Sequence, residues 1–274
     1  MNSIAIYTDL DGTLLDHRDY SHTAADGWLR RLEGRGIPVI FTTSKTRAEL
    51  LLLRRELHNR HPFIAENGAA VFIPEDDALD PPPDASLRDG YWVKTFVPGR
   101  SHWLALLERA RERFDGLFRT FHDMSPDELA ACTGLSPAQA ALAAAREYGE
   151  PVQWLGGASR RDAFVTELER LGARVLRGGR FLHVSGACDK GRAMLWLNRR
   201  LAAASPPTTI ALGDSQNDVA MLEAADHAVL IRSPAHPFPE IRSGVNLVRT
   251  SASGPDGWVE GVAKVIEDIE ASRG

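Results

Sequence analysis

Ile4-Ala5-Ile6-Tyr7-Thr8-Asp9-Leu10-Asp11-Gly12-Thr13 is the stretch on which the reading of this chain turns. Four apolar, strand-favouring residues run unbroken to Tyr7 and stop at Thr8-Asp9, the pattern of a buried strand that empties into a polar loop. The same shape recurs along the chain. Ile37-Pro38-Val39-Ile40-Phe41 runs into Thr42-Thr43-Ser44, Pro62-Phe63-Ile64-Ala65 into Glu66-Asn67-Gly68, Thr209-Ile210-Ala211-Leu212 into Gly213-Asp214, and Ala228-Val229-Leu230-Ile231 into Arg232-Ser233-Pro234. Helical patterns at 23–35, 47–59, 190–203 and 218–225 separate these runs. Strands alternating with helices of this length predict βαβ units and a parallel sheet, an α/β fold. In such a sheet the loops leaving the carboxyl ends of the strands gather on one edge, where ligands bind.

The middle third departs from that rhythm. Helical patterns at 101–114 and 160–171, a helix pair within 125–148 split by Gly134-Leu135-Ser136-Pro137, and short extended runs at 117–121, 152–154, 174–176 and 181–184 predict an inserted α+β module. The expected division is a core of 1–97 and 185–274 with the module at 98–184. Pro81-Pro82-Pro83 reads as a loop inside a core hairpin, because 91–97 alternates like a strand.

Composition limits the classes of function. The 274 residues carry 32 Lys+Arg against 37 Asp+Glu, a formal charge of −5, without the basic face a nucleic-acid binder needs. The 43% hydrophobic and 25% charged content is that of a globular chain, and no apolar run approaches the ~18 residues of a membrane span. Cys132 and Cys188 fit no metal or redox spacing, so reduced thiols and a cytoplasmic location are expected.

Two acidic clusters stand at strand ends. Asp9-Leu10-Asp11 alone could be a solvated turn, since turns favour Asp and Gly, and Gly12 and Tyr20 stand at the wrong positions for a calcium loop. Gly213-Asp214-Ser215-Gln216-Asn217-Asp218 repeats the arrangement where a helix opens. Together the clusters bring about four carboxylates to one edge, which costs repulsion unless a cation compensates. Oxygen donors without a His/Cys cluster favour Mg²⁺ over zinc. Thr43 at a strand end and Lys190 at a helix start supply a hydroxyl and an ammonium for phosphoryl oxygens, with backbone N–H groups of the 9–13 turn as expected helpers. Neither a Walker loop nor a GxGxxG motif is present.

In this order, Asp-x-Asp-Gly-Thr, strand-end Thr, Lys and Gly-Asp-x-x-Asn-Asp resemble the haloacid dehalogenase superfamily. The large insert and Glu66-Asn67-Gly68-Ala69 resemble its type IIB (Cof-like) branch. The resemblance implies a Rossmann-like core with a C2B-type cap and a Mg²⁺-dependent phosphatase. It makes Asp9 the nucleophile and Asp11 the general acid/base, with Thr43 and Lys190 on the phosphate. Asp9, Asp11 (through its carbonyl) and Asp214 would hold the metal, with Asn217 and Asp218 orienting them.

Thr43-Ser44-Lys45-Thr46, in place of the usual Thr-Gly-Arg, narrows the resemblance within that branch, as do Arg146-Glu147-Tyr148-Gly149-Glu150-Pro151 and Gly179-Arg180-Phe181. The implied substrate is a small phosphomonoester with a glycerate carboxylate beside the phosphate and a hexose beyond. Arg146 and Arg180 become candidate anion contacts, and Glu147 and Glu150 candidate acceptors for sugar hydroxyls, each with a solvated surface charge as the plain alternative. His183 and the tryptophans read as packing residues. A broad sugar-phosphate phosphatase, a phosphomannomutase and a non-catalytic phosphosugar binder remain open.

Overall fold

The computed structural model describes residues 3–77, 80–177, 180–201 and 205–272. Chain order is β1 (Ile4–Thr8), α1 (Asp26–Gly34), β2 (Val39–Phe41), α2 (Arg47–Glu56), β3 (Phe63–Ala65), β4 (Ala70–Pro74), β5 (Ser86–Arg88), β6 (Tyr91–Thr95), α3 (Arg100–Phe114) and β7 (Phe118–Thr120). There follow α4 (Pro126–Thr133), α5 (Pro137–Ala144), β8 (Glu150–Trp154), α6 (Ala158–Arg170), β9 (Arg174–Arg177), β10 (Leu182–Ser185), α7 (Lys190–Asn198), β11 (Thr208–Gly213), α8 (Val219–Ala224), β12 (His227–Arg232), β13 (Leu247–Ser253) and α9 (Gly254–Ala271). The turn at 178–179 and the end of the helical pattern at 202–203 lie outside the described residues. Two compact units emerge, one of 1–43, 59–94 and 189–274, the other of 44–58 and 95–188.

The first unit is built on a five-stranded sheet of order β13-β12-β11-β1-β2. All its described pairings are parallel, and Tyr7 and Thr8 stand opposite Ala211 and Leu212. Every residue of β1 is buried, as an unbroken apolar run requires when both faces are covered. α9 packs against β12 and β13, and Trp258, fully buried on it, donates its indole N–H to Thr8 Oγ1 at 3.0 Å. Of the five apolar runs, the one at Phe63–Ala65 does not join this sheet as a full strand. A single parallel bridge, Thr42 to Ile64, links it to the end of β2, and it pairs antiparallel with β4 in a second sheet, β3-β4-β6-β5. The physical reason is the tight turn at Glu66–Gly68, which returns the chain at once as β4. Among the described residues no helix is long and apolar enough to cross a membrane.

The second unit carries an antiparallel sheet, β7-β8-β10-β9. Its core is aromatic: Phe164 on α6 stands 5.3 Å from Phe114, 4.9 Å from Phe118 and 5.1 Å from Trp154 between ring centroids. α4 and α5 each begin with a serine capping box followed by proline, at Ser125-Pro126 and Ser136-Pro137, and Gly134 closes α4 in the left-handed region. The unit also takes in α2, which the sequence reading places in the core. Thr46 Oγ1 donates to Leu142 O at 2.9 Å, Arg146 Nη1 to Ser44 O at 2.9 Å, and Arg47 pairs with Glu147 at 2.7 Å. These bonds hold 44–58 to the α5 region.

Candidate active site

The strand ends of the first unit assemble the acidic clusters. Asp9 follows β1 directly, 5% exposed, and its N–H donates to Leu212 O at 2.9 Å, which locks it to β11. Its backbone carbonyl accepts the Thr8 hydroxyl at 2.7 Å. Past Asp9 the chain folds on itself: Thr13 N–H and Leu15 N–H both donate to Leu10 O, and Gly12 N–H donates to Leu15 O. Two of the N–H groups expected to face phosphate are therefore engaged inside the loop. Gly12 has φ +79°, and a Cβ there would meet Asp214 Oδ2 at 2.8 Å, so only glycine lets the two acidic loops approach.

Lys190 binds the clusters together. Asp189 caps α7 by accepting from Arg192 N–H at 2.7 Å, which points the first residue of the helix inward. Lys190 is fully buried, and its Nζ donates to Asp9 Oδ1 at 2.7 Å and to Asp218 Oδ1 at 2.6 Å. Asp218 Oδ2 accepts from the N–H groups of Asp214 and Ser215, at 3.1 and 3.0 Å, and from Ser215 Oγ at 3.2 Å. Asn217 is clamped beside it, taking Ser215 Oγ on Oδ1 at 2.5 Å and donating from Nδ2 to Asn67 Oδ1 at 3.0 Å. Asp214 accepts from Thr13 Oγ1 at 3.3 Å, and His236 Nε2 lies 3.4 Å from its Oδ2.

The electrostatics follow from burial. Desolvation, joined by the charges of Asp218 and Asp214, outweighs Lys190 and raises Asp9 to about 8. Asp214 is raised to about 6 by burial and Asp218, against His236, Lys190 and the Thr13 hydroxyl. Burial pulls Lys190 downward, but Asp218 and Asp9 overcome it and hold the ammonium above its ordinary value.

Carboxylate oxygens of Asp9, Asp214 and Asp218 lie within 4.8 Å of one another, a group that could hold a metal ion. With all three carboxylates ionised, one ammonium would leave an excess of two negative charges, which a divalent cation would balance. Asp218 is already occupied by Lys190, two N–H groups and a hydroxyl. Asp9 and Asp214 are therefore the open donors, and hard oxygen ligands of this kind suit Mg²⁺.

The remaining sequence candidates are placed as follows. Thr43 is fully buried at the end of β2, its N–H donating to Ile64 O at 3.1 Å, and Asp11 is half-buried in the loop. In the second unit, Glu150 is engaged through both oxygens, by Arg100 Nε at 2.5 Å and by His122 N–H at 2.8 Å. Arg180 is spent on the last carbonyls of α4, those of Cys132 and Thr133. Glu147 pairs with Arg47, and Arg146 holds Ser44 O. His183, on β10, is lowered to about 4 by burial and then by the Arg146 charge, so it is neutral. Gly179 lies outside the described residues. Thr13, Asn67 and His236 were not singled out as site residues from sequence. Thr13 and Asn67 stand inside the Asp-x-Asp-Gly-Thr and Glu-Asn-Gly-Ala motifs, where a role for them could have been sought, whereas His236 lies in no motif.

The family model of haloacid dehalogenase-like hydrolases matches residues 6–80 and 181–237. The glucosyl-3-phosphoglycerate/mannosyl-3-phosphoglycerate phosphatase of Methanococcoides burtonii is 35% identical over 262 residues, covering 95% of this chain and 96% of that protein. Two solved structures are alike in fold. The sucrose-phosphatase of Synechocystis, in complex with sucrose and phosphate, has 15% identity and a TM-score of 0.60, covering 96% of this chain and 98% of that one. A HAD subclass IIB sugar phosphatase has 15% identity and a TM-score of 0.60, covering 98% and 99%. Similar to a phosphatase along nearly its whole length and carrying the family's strand-end acids, the chain belongs to the haloacid dehalogenase-like hydrolases and is a phosphatase.

Proposed function

We propose that the chain hydrolyses a glycosyl-3-phosphoglycerate, mannosyl or glucosyl, to the glycosylglycerate and phosphate, with Mg²⁺ as its cation. The observation that carries the substrate is the 35% identity, over nearly the full length of both chains, to a phosphatase named for those two compounds. The observation that supports the chemistry is the buried Asp9, Lys190 and Asp214 cluster.

In this reading Asp9 attacks phosphorus in line and forms an aspartyl-phosphate, which splits one difficult hydrolysis into two easier displacements. Asp11 protonates the departing alkoxide, then takes a proton from the water that attacks the aspartyl-phosphate. Lys190 and the Thr43 hydroxyl bind the transferring oxygens. Asp9, Asp214 and the Asp11 carbonyl would hold Mg²⁺, which when bound neutralises charge on the phosphoryl group. Asp218 and Asn217 orient these groups, Asp218 by fixing the Lys190 ammonium. The first unit is then the phosphatase core and the second the selectivity unit. There Arg146, charged and next to the Ser44 backbone, is the contact we assign to the glycerate carboxylate. Glu150 and Arg180 hold their own unit together, and Glu147 orders α2 through Arg47.

The test is phosphate release, ranked by kcat/KM, from mannosyl- and glucosyl-3-phosphoglycerate, 3-phosphoglycerate and hexose 6-phosphates with Mg²⁺. The glycosylated phosphoglycerates should lead by at least about tenfold. A clear lead for hexose phosphates would overturn the substrate and point to a broad sugar-phosphate phosphatase. Phosphoryl transfer to a second sugar hydroxyl without release of phosphate would point to a mutase.

A further inference from the structure

Glu66, Asn67 and Gly68 take three consecutive left-handed backbone conformations, with φ of +48°, +59° and +88°. Glycine accepts that region freely and asparagine tolerates it. A glutamate buried to 6% exposure does so only where its surroundings over-determine the backbone. Strained backbone of this kind is found where geometry matters to function.

The surroundings here are the functional segments themselves. Asn67 N–H donates to Thr43 O at 2.9 Å, which ties the turn to the end of β2. Asn67 Oδ1 accepts from Asn217 Nδ2 at 3.0 Å, which ties it to the 214–218 loop. A Cβ on Gly68 would lie 2.1 Å from Asp189 O, so the turn abuts the backbone at the start of α7, one residue before Lys190. From Asn67 the hydrogen bonds run through Asn217 to the Ser215 hydroxyl, and from the Ser215 N–H through Asp218 and Lys190 to Asp9.

We propose that the left-handed Glu66–Gly68 turn is the positioning element for the phosphoryl-transfer groups, and that Asn67 is a positioning residue acting through Asn217 on the Asp218–Lys190–Asp9 array. The inference rests on the functional reading above and adds a residue to it. In this assignment Asn67 acts through Asn217 and not on the substrate or the cation. Its side chain fixes the amide of Asn217, which holds the Ser215 hydroxyl and with it the loop whose N–H groups orient Asp218 against Lys190.

The experiment compares Asn67→Gly, Asn217→Ala and the double variant in saturating Mg²⁺ with p-nitrophenyl phosphate. Glycine keeps the left-handed backbone and removes the side chain, so Asn67→Gly should hold its Tm within about 2 °C of the parent. Its kcat should fall about 10- to 100-fold with KM changed less than about threefold. The double variant should be no slower than Asn217→Ala within about threefold, because both substitutions break one bond. Multiplicative losses, a parental kcat in Asn67→Gly, or a loss confined to Tm each overturn the role. Asp9→Asn, measured alongside, separates the two readings. An active Asp9→Asn overturns the functional reading and this one with it, while an inactive Asp9→Asn beside a fully active Asn67→Gly overturns only the role of the turn.

Discussion

Lys190→Met isolates the electrostatics of the site. Methionine fills a similar volume, so the change removes a charge and little packing. In the parent, the ammonium lies 2.7 Å from Asp9 and 2.6 Å from Asp218, with its own side chain fully buried. Removing one partner of a buried ion pair costs about 3–5 kcal/mol, and at about 2–4 °C per kcal/mol for a chain of this class Tm should drop by roughly 10 °C at neutral pH. The pH dependence carries the sharper test. Asp9, raised to about 8, and Asp214, raised to about 6, hold protons in the folded state that the unfolded chain has released. Wherever the folded state binds more protons, stability falls as pH rises, by about 1.4 kcal/mol per unit per proton. Loss of the ammonium raises the carboxylates further, so one more proton is retained. Asp9 already holds its proton through most of pH 5–8, so the extra proton sits mainly on Asp214 above pH 6, and the deficit of the variant should widen by up to about 3 kcal/mol across that range. Thermal unfolding in EDTA at pH 5, 6.5 and 8 reads this directly, and millimolar Mg²⁺ should narrow the gap at pH 8. A gap that is flat with pH, or wider in acid, would refute the assignment of Lys190 as counter-ion to a carboxylate cluster.

Asp9→Asn should lower kcat at least about 10³-fold while leaving the cation-free Tm at pH 8 equal or higher, because a neutral amide replaces a carboxylate that burial disfavours; a parallel fall in both would speak against the nucleophile. Mg²⁺ affinity, measured by titration calorimetry, should rise from pH 6 to 8 with proton release, since Asp214 and Asp9 deprotonate across that window; pH-independent binding would place the ion elsewhere. Glu150→Ala leaves Arg100 without its buried partner and should cost about 2–4 kcal/mol in stability, with kcat on p-nitrophenyl phosphate unchanged at temperatures where the variant is folded. An equal loss of turnover there would return Glu150 to the chemistry.

What could be read in the sequence was whatever leaves a local signature. The run into Asp9, the acids after Leu212 and the Ser-Pro starts of α4 and α5 each have one, in apolar continuity or in capping chemistry. β13 and β5 do not. The first is an edge strand of mixed polarity, Leu247–Ser253, and the second is exposed at all three residues, so neither shows a buried run. α9 begins Gly254-Pro255-Asp256-Gly257, which reads as a loop although its later residues bury Trp258 and Val262. The attachment of α2 to the second unit rests largely on side chains meeting backbone carbonyls, Leu142 O and Ser44 O, and a carbonyl has no residue type to betray it. Glu66 at φ +48° is the extreme case: no glycine or asparagine marks that position.

Asp218 shows why proximity alone misassigns a carboxylate. It stands within ligand distance of Asp9 and Asp214, and a cation site drawn from spacing would include all three. Its partners argue otherwise. Its oxygens already take the Lys190 ammonium and the N–H groups of Asp214 and Ser215, which leaves little room on it for a cation. Among the described residues the Asp9 carboxylate has only the shared ammonium, and Asp214 a hydroxyl at 3.3 Å and a histidine at 3.4 Å. Those two are consequently the groups whose charge depends on what arrives. In the proposed reading Lys190 balances Asp218, the charges of Asp9 and Asp214 match one divalent cation, and an approaching phosphoryl group competes with Asp9 for the ammonium. The site is therefore most stable protonated and empty of cation in acid, and most ready for chemistry at the higher pH where stability without the cation is lowest.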